Sequence, residues 1–425
     1  MMRQDFFSRA TNGGFSKLLV VSYVLDWVII IVSALVGAIL AHISPNKRPF
    51  SLTNAEISFP HVEHEKVPLV ALGCAGLVGP AVIIFLVCLI LVPGPTVSKS
   101  IPKSLIFKRK LWEWHQGWLG LALSLAASFL ITSGMKNLFG KPRPDLLSRC
   151  EPDMANLANY TYSKFLAGSI YENFNVVSAK ICQQSDKAKL DDGFRSFPSG
   201  HASFSSGGLV YLSLFLASKL AITIPFLAAG SSATQMSAFP SRATTRIMEQ
   251  RTRAEQDKPI PGDDLLEEPS GHDDKVIAAR NQAAGPPVYL LVITVLPFFA
   301  SIYIASTRYS DFRHHGFDII FGYLIGTVTS IFAFRYYHLP INQGAGWSWG
   351  PRSRDRSFWA GVGVGNYVGS PERTPSPEIL ERTNSDMEAG RSIHRNHTNE
   401  DTQESDNLEL LPMKERSDAS RRVWD

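Results

Sequence analysis

Cysteine is scarce in this sequence: four residues in 425, too few for a disulfide-built scaffold. Charge is scarce as well. Asp, Glu, Lys and Arg make up 19% of the chain, below the usual ~25%. The net charge of +4 leaves no basic footprint for a nucleic-acid partner. No collagen-like or coiled-coil repeat is present, and 11% aromatic residues exclude a wholly disordered chain. The first long apolar run, from Leu18, lacks an A-x-A-like site after a short core, so a cleaved secretory leader is not expected. The mean hydropathy of 0.00 looks soluble, but it averages two opposite populations.

What is present is a set of long apolar runs. Leu18 to Ile43 is broken only by Asp26. Val67 to Val92, Trp118 to Met135 and Pro286 to Thr307 carry no charge. Ala202 to Ala229 has only Lys219, and Phe317 to Phe334 only Asp318. A spanning helix needs roughly 20 apolar residues. The sequence therefore predicts an all-α, polytopic membrane protein with six transmembrane helices. Trp112, Trp114 and Trp118 cluster where the third run begins, as an interfacial aromatic belt would. Asp26 either precedes the hydrocarbon span or makes a buried polar contact, and the sequence leaves both open.

Basic residues set the orientation. Lys99, Lys103, Lys108, Arg109 and Lys110 lie between the second and third runs, and Arg3, Arg9 and Lys17 at the N-terminus. Both termini are thus expected in the cytosol, with loops 44–66, 136–200 and 308–316 on the lumenal or outer face. The expected organisation is a cytosolic stretch 1–17, a six-helix domain 18–338 and a tail 339–425. An insert at 230–285 interrupts the domain on the cytosolic side. Insert and tail are polar and lack apolar periodicity, so both are expected to be disordered. The tail has 11 basic against 14 acidic residues, and Thr374 and Ser376 before prolines are candidate phosphorylation sites.

Three polar clusters adjoin the helices. Lys136 and Arg143 close the third, Pro198-Ser199-Gly200-His201 opens the fourth, and Arg308, His314 and Asp318 span the end of the fifth and the start of the sixth. Each follows an odd-numbered helix or precedes an even-numbered one, so all share one membrane face. Three cations, two of them planar guanidiniums, match phosphate oxygens. A helix start offers unpaired N–H groups to an anion, and Gly200 permits close backbone approach. If the last cluster is helical from His314, Asp318 lies one turn on. It would then orient that ring and leave the other nitrogen as a nucleophile. His201 is the candidate general acid. The cations neutralise phosphoryl charge, so the arrangement requires neither a metal nor a cofactor.

The ordered set K-x6-R-P, P-S-G-H and R-x5-H-x3-D resembles the signature of type 2 phosphatidic acid phosphatases, relatives of the vanadium haloperoxidases. Arg143-Pro-Asp145, Asp192-Gly-Phe-Arg195 and Tyr309 to His315 are similar to the eukaryotic lipid phosphate phosphatases. The likeness runs closest to the fungal diacylglycerol pyrophosphate phosphatases. The resemblance implies a vanadium-haloperoxidase-like helical core and Mg²⁺-independent hydrolysis of phosphatidate, lysophosphatidate or diacylglycerol pyrophosphate. It implies Lys136, Arg143 and Arg308 on the phosphate, with Ser199 and Gly200 adding donors. His314 would form a phosphohistidine, Asp318 would orient it, and His201 would be the acid. The implied partners are a membrane lipid phosphate and the bilayer, with no nucleic acid, in an endomembrane or the plasma membrane. The family commonly has Ser where Thr307 precedes Arg308. Alternatives are an isoprenoid diphosphate or sphingoid-base phosphate phosphatase, a catalytically silent adaptor, or a transporter. An adaptor is expected to lose the histidines, which this chain keeps.

Weaker signals remain. Cys150 and Cys182 share the long lumenal loop, where a bridge is permitted; free thiols are the alternative. Cys74 and Cys88 read as packing residues. Asn159-Tyr-Thr161 is a glycosylation sequon on the lumenal side, and Asn396-His-Thr398 one on the cytosolic side. His61, Glu63, His64 and Glu65 resemble a metal cluster in composition and read better as a headgroup-level polar stretch. Gly322 and Gly326 form a GxxxG suited to packing within the chain or in a homodimer.

Overall fold

The computed structural model describes residues 17–94, 101–161, 176–224, 285–342, 346–352 and 357–358. Most of the insert (230–284), the tail beyond 358 with Thr374, Ser376 and Asn396, and residues 1–16 lie outside this set. The chain divides into units Met1–Gly363 and Val364–Asp425, and everything described belongs to the first.

Six long helices carry the apolar runs: α1 (Lys17–His42), α2 (Leu69–Leu91), α3 (Lys103–Phe139), α4 (Gly200–Lys219), α5 (Val288–Ser310) and α6 (Gly316–Tyr337). Strand structure among the described residues is confined to a two-stranded sheet, so the protein is an α-helical membrane fold. Five of the helices, all but α4, are long and apolar enough to cross a membrane. Their outward faces are rich in exposed Leu, Val, Ile and Phe, such as Val21, Ile39, Ile90 and Phe332, as a lipid-facing surface requires.

The sixth expected span, α4, differs for a physical reason. It packs against α2, α3, α5 and α6, and most of its residues are buried. An enclosed helix has little need of lipid-facing hydrocarbon, so α4 carries Ser203, Ser205, Ser206, Gly207 and Gly208. Their polar groups are satisfied inside the bundle: Ser206 Oγ donates to Tyr323 O at 3.1 Å, and Ser124 Oγ and Ser330 Oγ donate to Gly207 O at 2.8 and 3.0 Å. The GxxxG of α6 lies on this seam. A Cβ on Gly326 would meet Gly207 N at 2.7 Å, and one on Gly322 would meet Ser199 N at 3.1 Å. The small residues therefore serve packing within the chain and are not a free dimer face.

A small extramembrane layer covers one end of the bundle. Strands β1 (Phe50–Ser51) and β2 (Val176–Val177) pair antiparallel, Phe50 opposite Val177. Around them Ile57, Leu146, Cys150, Ile181, Leu190 and Phe194 form a separate apolar core. Cys150 and Cys182 are bonded, S–S 1.96 Å. The described residues of loops 44–66 and 140–199 thus build one structure at one end.

At the opposite end the structure corrects the expected boundary at residue 338. Residues 346–352 dock on the helices: Ser348 pairs with His338 as a β-bridge, and its N–H and hydroxyl donate to buried Glu113 at 3.1 and 2.9 Å. Lys219 Nζ lies 2.6 Å from the same carboxylate. Arg352 pairs with Asp26 at 2.5 Å, which settles Asp26 as a polar contact. Composition hid this docking because the polar groups of the segment find partners on the bundle. The tryptophans are likewise tied inward: Trp112 Nε1 donates to Trp349 O at 3.0 Å and Trp118 Nε1 to Ala81 O at 2.9 Å.

Candidate active site

Beneath the extramembrane layer lies a cavity of about 830 Å³. Its polar wall holds Lys136, Arg143, Gly200, His201, Arg308 and His314, so residues of all three sequence clusters converge there. Leu69, Leu72, Phe129 and Phe204 form an apolar wall beside them.

Two of the cations are delivered by helix ends and the third, Arg143, by the loop after α3. Lys136 sits in the last turn of α3, and a Cβ on Gly200 would come within 2.9 Å of its Nζ, so a side chain there would displace the ammonium. Arg143 is anchored by its N–H to Gly193 O at 2.8 Å and by Nη2 to Asp192 at 2.7 Å. Arg308, in the last turn of α5, pairs through Nη1 with Glu65 at 3.0 Å. The Nε atoms of Arg143 and Arg308 are buried without a partner. Such donors are costly to leave unpaired, and an oxyanion in the cavity would satisfy them.

His314 is buried, and its Nδ1 is 2.6 Å from Ser196 O. A carbonyl only accepts, so Nδ1 carries the hydrogen and Nε2 keeps a lone pair. Burial, then Arg143, Lys136 and Arg308, push its pKa well below the usual histidine value, which keeps the ring neutral.

The contact expected between Asp318 and His314 is not formed. Helix α6 begins at Gly316, with His315 as its N-cap, so His314 precedes the helix and the one-turn spacing does not bring it over Asp318. Asp318 instead completes the capping box with His315. It also receives Lys141 Nζ at 2.8 Å and Ser196 Oγ at 2.6 Å. Its hydrogen-bonded link to His314 runs through Ser196. Ser199 departs from expectation in the same way. Its N–H donates to Asp318 O at 2.9 Å, its hydroxyl oxygen accepts from Ala202 N–H as the cap of α4, and it is not among the residues that line the cavity. Gly200 and His201 do.

Several site residues lie outside the clusters. Glu65 bridges Arg308 and Arg313, with its Oε2 3.9 Å from His201 Nε2. Burial favours the neutral acid of Asp192, but Arg143, Arg149, Lys136 and Arg313 outweigh it and hold the carboxyl below the usual range. Glu65 belongs to the polar stretch at 61–65, which the structure splits between ion pairs, His61 going to Asp145 at 2.7 Å. Arg313 lies inside the Tyr309–His315 stretch, but no local spacing pairs it with Glu65, because the two come from different loops.

Relatives carry matching names. The chain is 27% identical to the probable diacylglycerol pyrophosphate phosphatase 1 of Schizosaccharomyces pombe, over 70% of this chain and 75% of the relative. It is 23% identical to the diacylglycerol pyrophosphate phosphatase 1 of Saccharomyces cerevisiae, over 75% and 80%. It is 24% identical to lipid phosphate phosphatase 2 of Arabidopsis thaliana, over 60% and 63%. No solved structure matches the chain. The PAP2 superfamily model matches residues 117–341, more than half of the sequence and all three of the clusters that meet at the cavity. With this site on this helical frame, the chain belongs to the PAP2 superfamily.

Proposed function

We propose that the protein is a Mg²⁺-independent lipid phosphatase acting on phosphatidate, lysophosphatidate or diacylglycerol pyrophosphate through a phosphohistidine. The observation that carries this reading is His314, neutral, with Nδ1 committed to Ser196 O and its ring in a cavity lined by Lys136, Arg143 and Arg308. Its Nε2 lone pair attacks phosphorus, and the bond from phosphorus to the leaving oxygen breaks. His201 gives that oxygen a proton. Water then cleaves the P–N bond, with His201 taking a proton from it. Lys136, Arg143, Arg308 and the Gly200 N–H hold the phosphoryl oxygens and offset their charge. Asp318 supports His314 through Ser196.

The apolar wall of Leu69, Leu72, Phe129 and Phe204 beside the cations suits an amphiphile whose acyl chains stay in the bilayer. The bias of basic residues puts this face in the lumen or outside, with both termini, the insert and the tail in the cytosol. Phosphate release from a panel of lipid phosphates in detergent micelles, with and without EDTA, tests the reading. Release from phosphatidate or diacylglycerol pyrophosphate that survives EDTA is the expected result. Turnover confined to isoprenoid diphosphates or sphingoid-base phosphates would redirect the substrate assignment.

A further inference from the structure

Glu65 stands in the loop before α2, outside every cluster that the motif spacing marks. Its Oε2 is 3.0 Å from Arg308 Nη1, and its Oε1 is 2.9 Å from Arg313 Nη2. Two residues on, the Val67 carbonyl is 3.1 Å from His201 Nε2 and 3.5 Å from Arg308 Nη1. One short stretch of loop therefore contacts both the general-acid candidate and a phosphate-binding guanidinium. Burial opposes the charged form of Glu65, but Arg308 and Arg313 prevail and hold its carboxyl below the usual range, so it is an anion at neutral pH. Another carboxylate in the polar wall, the half-buried Asp192, is already shared by Arg143, Arg149 and Arg313.

We propose that Glu65 is a positioning residue working through Arg308: a resident counter-anion that holds the guanidinium by its Nη1 edge and weakens the site's grip on phosphate, so that the cleaved phosphate leaves. This rests on the reading of the cavity as a phosphate site. Asp192 stays on Arg143 at 2.7 Å and Asp311 lies 3.7 Å from Arg308 Nη1, but Glu65 at 3.0 Å is the nearer counter-charge of Arg308, so without it a phosphate dianion would be held more tightly. Phosphate is the product left after the P–N bond is cleaved, and at constant association rate each tenfold gain in its affinity is a tenfold slower release. With Glu65 in place, Arg308 stays oriented with Nε free, while one of the positive charges is offset.

The test is calorimetric titration of inorganic phosphate, and separately orthovanadate, into the full-length detergent-solubilised protein at one pH. E65Q removes the charge at nearly constant shape, E65N is a second neutral variant, and E65D keeps the charge. The neutral variants are expected to bind phosphate about tenfold more tightly, the order of a unit charge removed at ~6 Å in a partly screened site. E65D is expected to stay within about twofold of wild type. Damage to the fold weakens binding, so a gain is a readout that a merely structural role would not give, and either neutral variant suffices for it. Unchanged or weaker phosphate binding by the neutral variants overturns the inference. A wild-type protein that binds neither anion overturns the phosphate-site reading, and this inference with it.

Discussion

His314 donates from Nδ1 to the Ser196 carbonyl at 2.6 Å. This single bond assigns the tautomer and leaves Nε2 as the reactive nitrogen. It also makes Ser196, a residue with no catalytic chemistry of its own here, the link between His314 and Asp318.

Replacing His314 with Ala should lower lipid phosphate hydrolysis by about three orders of magnitude or more, as loss of a covalent nucleophile does. Membrane insertion and elution in size-exclusion chromatography should not change. Wild-type enzyme quenched during turnover of a ³²P-labelled substrate should carry an acid-labile, base-stable label that H314A lacks. Full activity in H314A would sink the mechanism.

Because Asp318 acts through Ser196, D318N should cost less than H314A, about 10- to 100-fold in kcat, as loss of a supporting carboxylate typically does. S196A removes the hydroxyl that Asp318 holds and leaves the carbonyl in place. The double variant S196A/D318N should be no worse than D318N alone, since both remove one link. Additive losses would mean that Asp318 acts on His314 by another route.

Asp192 ties the extramembrane layer to acid stability. Its folded pKa lies below its unfolded value because Arg143, Arg149, Lys136 and Arg313 outweigh burial. Stability from this group is therefore present above the unfolded value, near ~3.9, and lost as pH falls through the folded one. D192N should lower thermal stability at pH 7 and flatten its decline below about pH 4. Parallel acid limbs in wild type and D192N would contradict this assignment.

The Cys150–Cys182 bond closes a loop with a sequence separation of 32 within the small apolar core. Chain entropy alone puts its stabilisation at about 3–4 kcal/mol. C150S/C182S should therefore melt at a lower temperature, and proteolysis should cut first within residues 140–199. Equal melting temperatures would show that the apolar core alone holds the layer.

Asn159 is exposed and belongs to the same layer as the cavity roof. If that layer is lumenal, endoglycosidase treatment should shift the wild-type band on a gel but not that of N159Q. A shift that persists in N159Q and disappears in N396Q would invert the orientation.

The sequence by itself determined the six long helices, five of them long and apolar enough to cross a membrane, because a bilayer demands long apolar runs. It also marked the cations and both histidines, because their chemistry is local to short motifs. Only the tertiary structure decided which polar groups meet. A helix start two residues later than His314 turned Asp318 toward Ser196, Lys141 and His315. Enclosure by four helices allowed α4 to carry serine and glycine. Asp192 and Arg313 stood in stretches that carried the resemblance, but only the structure paired them with Arg143 and Glu65. Ion pairs form between residues far apart in the chain, Glu65 with Arg313 and Asp26 with Arg352, and such contacts are set by packing of the chain in space, which no local pattern records.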